Sequence, residues 1–421
     1  MYNRTTLDNG LRILTENITY SQSVSILISV GAGSRYEPPE LAGLSHFLEH
    51  LPFKGTERWP TAQLVSEAIE GVGGIMNAST DREMTVFWCK VAKPHYKQAL
   101  SVLLDMILHP NLDPREMEKE REVIEEELRM TYDYPSQMVD LLIDDLLWPE
   151  QSMGRDVGGT IETVNNISID DVREYMGHQY SPNNTVISIV GSIEHSEITN
   201  LVNEEAHNWN PRSGLDWERV IPHYSGPPVK IDNRPTDQSH ICLGMQGLSL
   251  FDPDRFALSL LNCVLGDGMS SRLFLRLRED QGLAYDVSSS ANNFKDCGSL
   301  VVYCGTEPKK VQAAIESIMS ELNSLLTPIN ESELKKAKEY TKGRLLLRME
   351  DTRAIASWLG TQELLMGQIL NVAEVVDLID QTDVSDIHRV ATRLISEPNM
   401  RLALVGPHDN SEMYEPMLQI S

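Results

Sequence analysis

No run of 18 apolar residues occurs anywhere in this chain, so a membrane-spanning helix is not expected. The first ten residues, Met1 to Gly10, lead straight into an alternating segment and lack the apolar core of a secretory signal, which points to a cytoplasmic protein. Cysteine is sparse. Cys89, Cys242, Cys263, Cys297 and Cys304 are odd in number and lack the close pairing of a zinc knuckle, so they read as reduced core thiols. Positive charge is in short supply too: 36 Lys plus Arg face 62 Asp plus Glu, for a net charge of -26. That balance argues against general nucleic-acid binding.

What is present is enough apolar material, 41% of 421 residues, for two domains of roughly 200 residues each. Strands are predicted at Leu11 to Thr15, Val24 to Val30, Thr85 to Val91 and Thr185 to Val190. Helices are predicted at Ala42 to Leu51, Pro60 to Glu70, Tyr96 to Leu108, Pro114 to about Met130 and Asp170 to Tyr180. The stretch Asn210 to Pro228, with Pro222 and the pair Pro227-Pro228, reads as a linker. We therefore expect domains at 1–211 and 230–421 joined by 212–229.

The chain then starts again. A shift of 215 residues lays Cys89 on Cys304, Ala99 on Ala314 and Pro114 to Met130 on Ile329 to Leu345. Duplicated α/β domains of similar topology follow from this pattern. Under the same shift His46 faces Leu261, His50 faces Leu265, Glu120 faces Lys335 and Glu127 faces Lys342. Only the first copy is equipped to hold a metal.

The equipment begins with His46-Phe47-Leu48-Glu49-His50. Residues four apart share a helix face, so both imidazoles can reach one ion, and Glu49 lies beside that face where it can act on a water. This H-x-x-E-H order inverts the familiar H-E-x-x-H of zinc peptidases. A catalytic zinc takes three protein ligands and keeps one position open. Glu116 to Glu127 supplies seven glutamates as candidates for the third ligand. Glu120 and Glu127, two helical turns apart, share a face, and spacing alone leaves the choice between them open.

The pentapeptide, followed by Pro52-Phe-Lys-Gly-Thr56, Gly73-Gly74, Asn77-Ala78, Thr80 and the glutamate-rich helix, resembles the pitrilysin or insulysin family of zinc peptidases. The short chain is similar to the mitochondrial processing peptidase-like branch and its bacterial relatives. That resemblance implies an α+β fold of two homologous α/β-sandwich domains, each a mostly antiparallel sheet packed with helices, arranged as a clamshell. It implies one zinc per chain on His46, His50 and Glu127, with Glu120 supporting the site and Glu49 as the catalytic base. Asn77, Ala78 and Thr80 match a substrate-binding edge. Arg278 and Tyr285, in a second signature running from Ser271 to Tyr285, would reach the bound peptide.

The implied activity is endopeptidase cleavage of short or unfolded peptides, basic ones being favoured by the acidic surplus. A second chain would complete the chamber, as a homodimer or with a related subunit. The competing expectation is a noncatalytic peptide-binding or structural subunit. The long glycine-rich loop of the noncatalytic processing-peptidase subunit is absent, and Gly266-Asp-Gly268 is only a short turn.

Overall fold

The computed structural model describes residues 2–222, 226–396 and 399–420; residues 223–225 of the expected linker and 397–398 of the expected second domain lie outside the described residues. The chain divides into two compact units, each built on one sheet.

The first sheet contains β1 (Tyr2–Thr6), β2 (Arg12–Asn17), β3 (Ser23–Val30), β4 (Ile75–Thr80), β5 (Thr85–Ala92) and β6 (Thr185–Gly191), in the order β1-β2-β6-β3-β5-β4. Its pairs are antiparallel except β2 with β6. The central strands β3 and β6 are buried nearly throughout, as strands covered on both faces must be, and combine apolar residues with a few serines and a threonine. β4 is an edge strand, paired only with β5 among the described residues.

The second sheet contains β7 (Val229–Asn233), β8 (Ser239–Gln246), β9 (Ala284–Asn293), β10 (Gly298–Thr306) and β11 (Arg401–Gly406), in the order β7-β11-β8-β10-β9. Its one parallel pair, β7 with β11, stands where β2 with β6 stands in the first sheet. The second sheet is thus the first without β1. The two similar α/β domains expected from the 215-residue shift are present.

The units are nonetheless not the two contiguous halves that the sequence suggested. The helix Pro135–Leu147, from the N-terminal half, packs on β8 and β11 of the second unit. Val139, Leu142, Ile143, Leu146 and Leu147 form its buried stripe at helical spacing. Each side chain contributes about 1.5–3 kcal/mol on burial, enough to commit the helix to that sheet. Conversely Thr352–Met366 packs on β3 and β6 of the first unit. There Ser25 meets Thr352 at 2.8 Å, and Ser188 donates to the carbonyl of Ala356 at 2.8 Å. Small polar side chains on the central strands let this helix lie close to the sheet. The two helices are counterparts under the 215-residue shift, so the exchange is itself duplicated.

Apart from Val229, which opens β7, the expected linker carries no helix or strand among its described residues. It is held against the first unit at its start: the guanidinium of Arg35 lies 4.0 Å from the Trp217 ring and donates to the carbonyl of Glu218 at 3.1 Å.

Candidate metal centre

The helix bearing the pentapeptide runs from Leu44 to His50, shorter at its start than the expected Ala42. Leu44, Phe47, Leu48 and Leu51 recur at i, i+3, i+4 and i+7 and are buried, which turns His46, Glu49 and His50 to the opposite side. Its N-terminus has no cap from its own sequence. The buried carboxylate of Glu37 accepts from Gly43 N–H at 2.8 Å and Ser45 N–H at 2.5 Å, satisfying donors that a helix start leaves open. Gly43 has φ +96°, and a Cβ there would meet the carbonyl oxygen of Gly158 at 2.4 Å. Both the conformation and the close approach require glycine.

The glutamate helix runs Pro114–Asp133, with Met117, Glu120, Ile124 and Leu128 buried along one face. Glu120 is 5% exposed. Its carboxylate bridges two cations or potential cations: Oε2 lies 3.1 Å from His50 Nδ1, and Oε1 lies 2.5 Å from Lys54 Nζ. Glu127, two turns further on, turns its Oε2 to within 3.6 Å of His46 Nε2 and 3.7 Å of His50 Nε2. The two imidazole Nε2 atoms are 3.3 Å apart. His46, His50 and Glu127 thus form a potential metal-holding group.

These separations test whether the residues suit zinc. A tetrahedral zinc with ligands at about 2.0–2.1 Å sets its donor atoms about 3.3–3.4 Å apart. The observed 3.3, 3.6 and 3.7 Å match that to within a few tenths of an ångström. Two imidazoles and one carboxylate are also a donor set that zinc uses in catalytic sites. With His50 Nδ1 on Glu120, its Nε2 is left for the ion, the carboxylate–histidine–metal arrangement that fixes ring orientation. The residues fit the metal, and of Glu120 and Glu127 it is Glu127 that joins the two histidines in the potential metal-holding group.

Electrostatics agree with this division. Burial, together with the neighbouring His50, pushes His46 down to about 4, so the imidazole stays neutral as a ligand must. Burial would lower His50 as well, but the hydrogen bond to Glu120 and the charges of Glu127, Glu49 and Glu120 outweigh it and raise the pKa. The same carboxylates favour a metal cation at that point. Glu120 resists the upward pull of burial through its hydrogen bonds to His50 and Lys54, and stays ionised. Glu49 is raised by burial, against the opposing hydrogen bonds from the side chain and backbone of Thr80.

Of the expected edge residues, Thr80 therefore touches Glu49 directly. Ala78 sits between on β4, and Asn77 Oδ1 accepts from the Ala78 N–H at 2.8 Å. Arg278 and Tyr285 belong to the second unit, where the Arg278 guanidinium lies 4.9 Å from the Phe274 ring and 5.8 Å from the exposed Tyr285 ring. Two contributors were given no role from the sequence. Lys54 continues the four-residue spacing of His46 and His50, a signal that was available. Glu37 reaches the helix start from a separate short turn, and nothing local announces it.

The chain matches the Insulinase (Peptidase family M16) profile over residues 12–161 and the Peptidase M16 inactive domain over residues 166–340. It is 36% identical over 411 residues to the uncharacterized zinc protease YmxG of Bacillus subtilis, covering 97% of this chain and 99% of that protein. An uncharacterized zinc protease of Streptomyces coelicolor is 34% identical over 416 residues, covering 96% of this chain and 89% of that one. Among solved structures, a protease from Helicobacter pylori superposes with TM-score 0.87 at 21% identity over 97% of this chain and 99% of that chain. A peptidase M16 inactive domain from Pseudomonas fluorescens gives 0.89 at 16% identity over 97% and 98%, and at such identities these two speak for the fold alone. No helix among the described residues is long and apolar enough to cross a membrane. With its inverted histidine pair, its His/His/Glu cluster and relatives matched along nearly their whole length, the chain belongs to the M16 family of zinc peptidases.

Proposed function

We propose that this protein is a zinc-dependent endopeptidase that hydrolyses short or unfolded peptides, in the manner of a processing peptidase. The observation that carries the reading is the joining of three elements: the His46, His50 and Glu127 donors, the Glu49 carboxylate beside them, and the free edge of β4 tied to Glu49 through Thr80. Zinc, when bound, polarises the scissile carbonyl and makes water a competent nucleophile at neutral pH.

The chain's own residues do the rest. Glu120 and Lys54 hold His50 in one orientation. Glu49 accepts the proton of the attacking water and passes it to the amide nitrogen as the C–N bond breaks; its upward-shifted carboxyl is suited to holding that proton between the two steps. Thr80 fixes the carboxylate in place. An extended peptide added to β4 pairs through its backbone, a mode that demands an unfolded segment and tolerates many sequences. Arg278 and Tyr285 are proposed as further peptide contacts, and a second copy of the chain as the partner that completes the chamber.

The test is cleavage of an unstructured peptide library by the zinc-loaded protein of known oligomeric mass, with Glu49→Gln as control. Turnover lost while zinc is retained supports the reading. Zinc-loaded wild-type protein that binds peptides yet cleaves none would favour the noncatalytic peptide-binding alternative.

A further inference from the structure

The face of β4 turned away from the metal centre borders a groove of its own. Cross-strand partners point to the same side of a sheet, so the register Ala78↔Phe87 and Thr80↔Thr85 puts these four residues on the side of the histidine helix. Asn77↔Trp88 and Ser79↔Val86 point to the other side, where the helix Thr352–Met366 packs. On that second side, starting at Ser79 of the edge strand, lies a groove of about 500 Å³. Its walls include Met84, Trp88 and Leu347, the last 76% exposed.

The groove carries two arginines, Arg348 and Arg353, and one aspartate, Asp351. Asp351 is already engaged: it accepts from Lys90 Nζ at 2.7 Å and caps the helix through the N–H groups of Arg353 and Ala354. Arg353 lies over the Trp88 ring at 4.3 Å, and neither its guanidinium nor that of Arg348 pairs with a carboxylate among the described residues. The groove thus sets two arginines that no carboxylate offsets beside an apolar wall. They have the form of a receptor for a carboxylate on an apolar stem.

We propose that this groove is a subsite for an acidic side chain, foremost glutamate, of a peptide paired on the free edge of β4. The proposal rests on the peptidase reading. A strand added at that edge continues the pleat, so alternate side chains emerge on opposite faces. Residues of one parity meet the Glu-rich metal side. Those of the other parity meet Trp88, Met84 and the two arginines. The two faces therefore read opposite charges, and a preference for basic residues, where it exists, is confined to one parity of the substrate.

The experiment uses the full-length zinc-loaded protein and a host peptide of alanine and glycine around one cleavable bond, carrying Glu, Gln or Lys at one position at a time. At alternate positions on one parity, kcat/KM is expected to be at least tenfold higher for Glu than for Lys. The double variant Arg348→Ala/Arg353→Ala is expected to bring that ratio to about one at those positions without altering the ratio at the other parity. A second measurement is independent of turnover: the same labelled peptides are titrated against zinc-loaded Glu49→Gln. A tenfold tighter Kd for Glu on the same parity sustains the subsite even where hydrolysis is not seen, in which case only the peptidase reading falls. Equal Glu and Lys affinities at every position, or a Glu preference that survives the double arginine variant, overturns the subsite.

Discussion

The helix Leu44–His50 and its counterpart Arg255–Leu265 occupy the same place in two sheets of the same strand order, yet they use it differently. In the first, His46 and His50 stand out from the packed face and meet Glu127. In the second, Leu261 and Leu265 are both 0% exposed and belong to the core. The facing helix has changed in the same sense. Lys342, opposite Glu127 in the shift, is tied at 2.8 Å to both Asp380 and Glu339, and Lys335, opposite Glu120, is exposed. Between these helices the second unit keeps a cavity of about 220 Å³ walled by Cys263, Ala337 and Tyr340. One architecture can thus support either a metal centre or an apolar core, depending on four side chains.

Several substitutions would break or sharpen this contrast. The largest effects lie in the first unit. His50→Ala should lose zinc and reduce peptide hydrolysis to background, whereas Glu49→Gln should keep zinc and lose about 10²–10⁴-fold in turnover. Metal analysis alongside a peptide assay separates the two, and a fully active Glu49→Gln would remove Glu49 from its role. Next, Leu261→His in the second unit should create no zinc site. It buries an imidazole without a partner and should cost about 3–5 kcal/mol, read as an earlier urea midpoint. Zinc gained by that variant would contradict the view that the second unit lacks the carboxylate half of the site.

Gly43→Ala should cost about 2–3 kcal/mol, because the left-handed backbone and the Gly158 carbonyl both oppose a Cβ; thermal unfolding measures it. The smallest effect concerns the support around the ligands. Lys54→Met frees one side of Glu120 and should weaken zinc binding about 10- to 100-fold, as measured by competition with a chelator, with partial recovery in Lys54→Arg. Unchanged zinc affinity in Lys54→Met would reduce the Lys54–Glu120 pair to a surface contact.

Much of the site was legible because its signals are local or periodic. His46 and His50 share a face by a spacing that any helix enforces, and Pro114–Asp133 announces itself by its initial proline and its charge. The duplication was legible because the strands and helices recur at one offset. β4 was harder to read. Ile-Met-Asn-Ala-Ser-Thr has weak strand propensity and only partial alternation, since an edge strand tied on one side needs little of either.

The sequence by itself determined which copy carries the candidate ligands, which helix carries each of them and that two sheets of one topology exist. Those properties follow from periodicity and residue type, which act over a few turns of chain. Only the tertiary structure decided that Glu127 faces both Nε2 atoms while Glu120 takes His50 Nδ1 and Lys54. It also decided that Pro135–Leu147 and Thr352–Met366 change places between the sheets, and that a groove with two arginines free of carboxylate partners opens behind the edge strand. These depend on which apolar faces close on each other across more than a hundred residues, and local spacing carries no record of that choice.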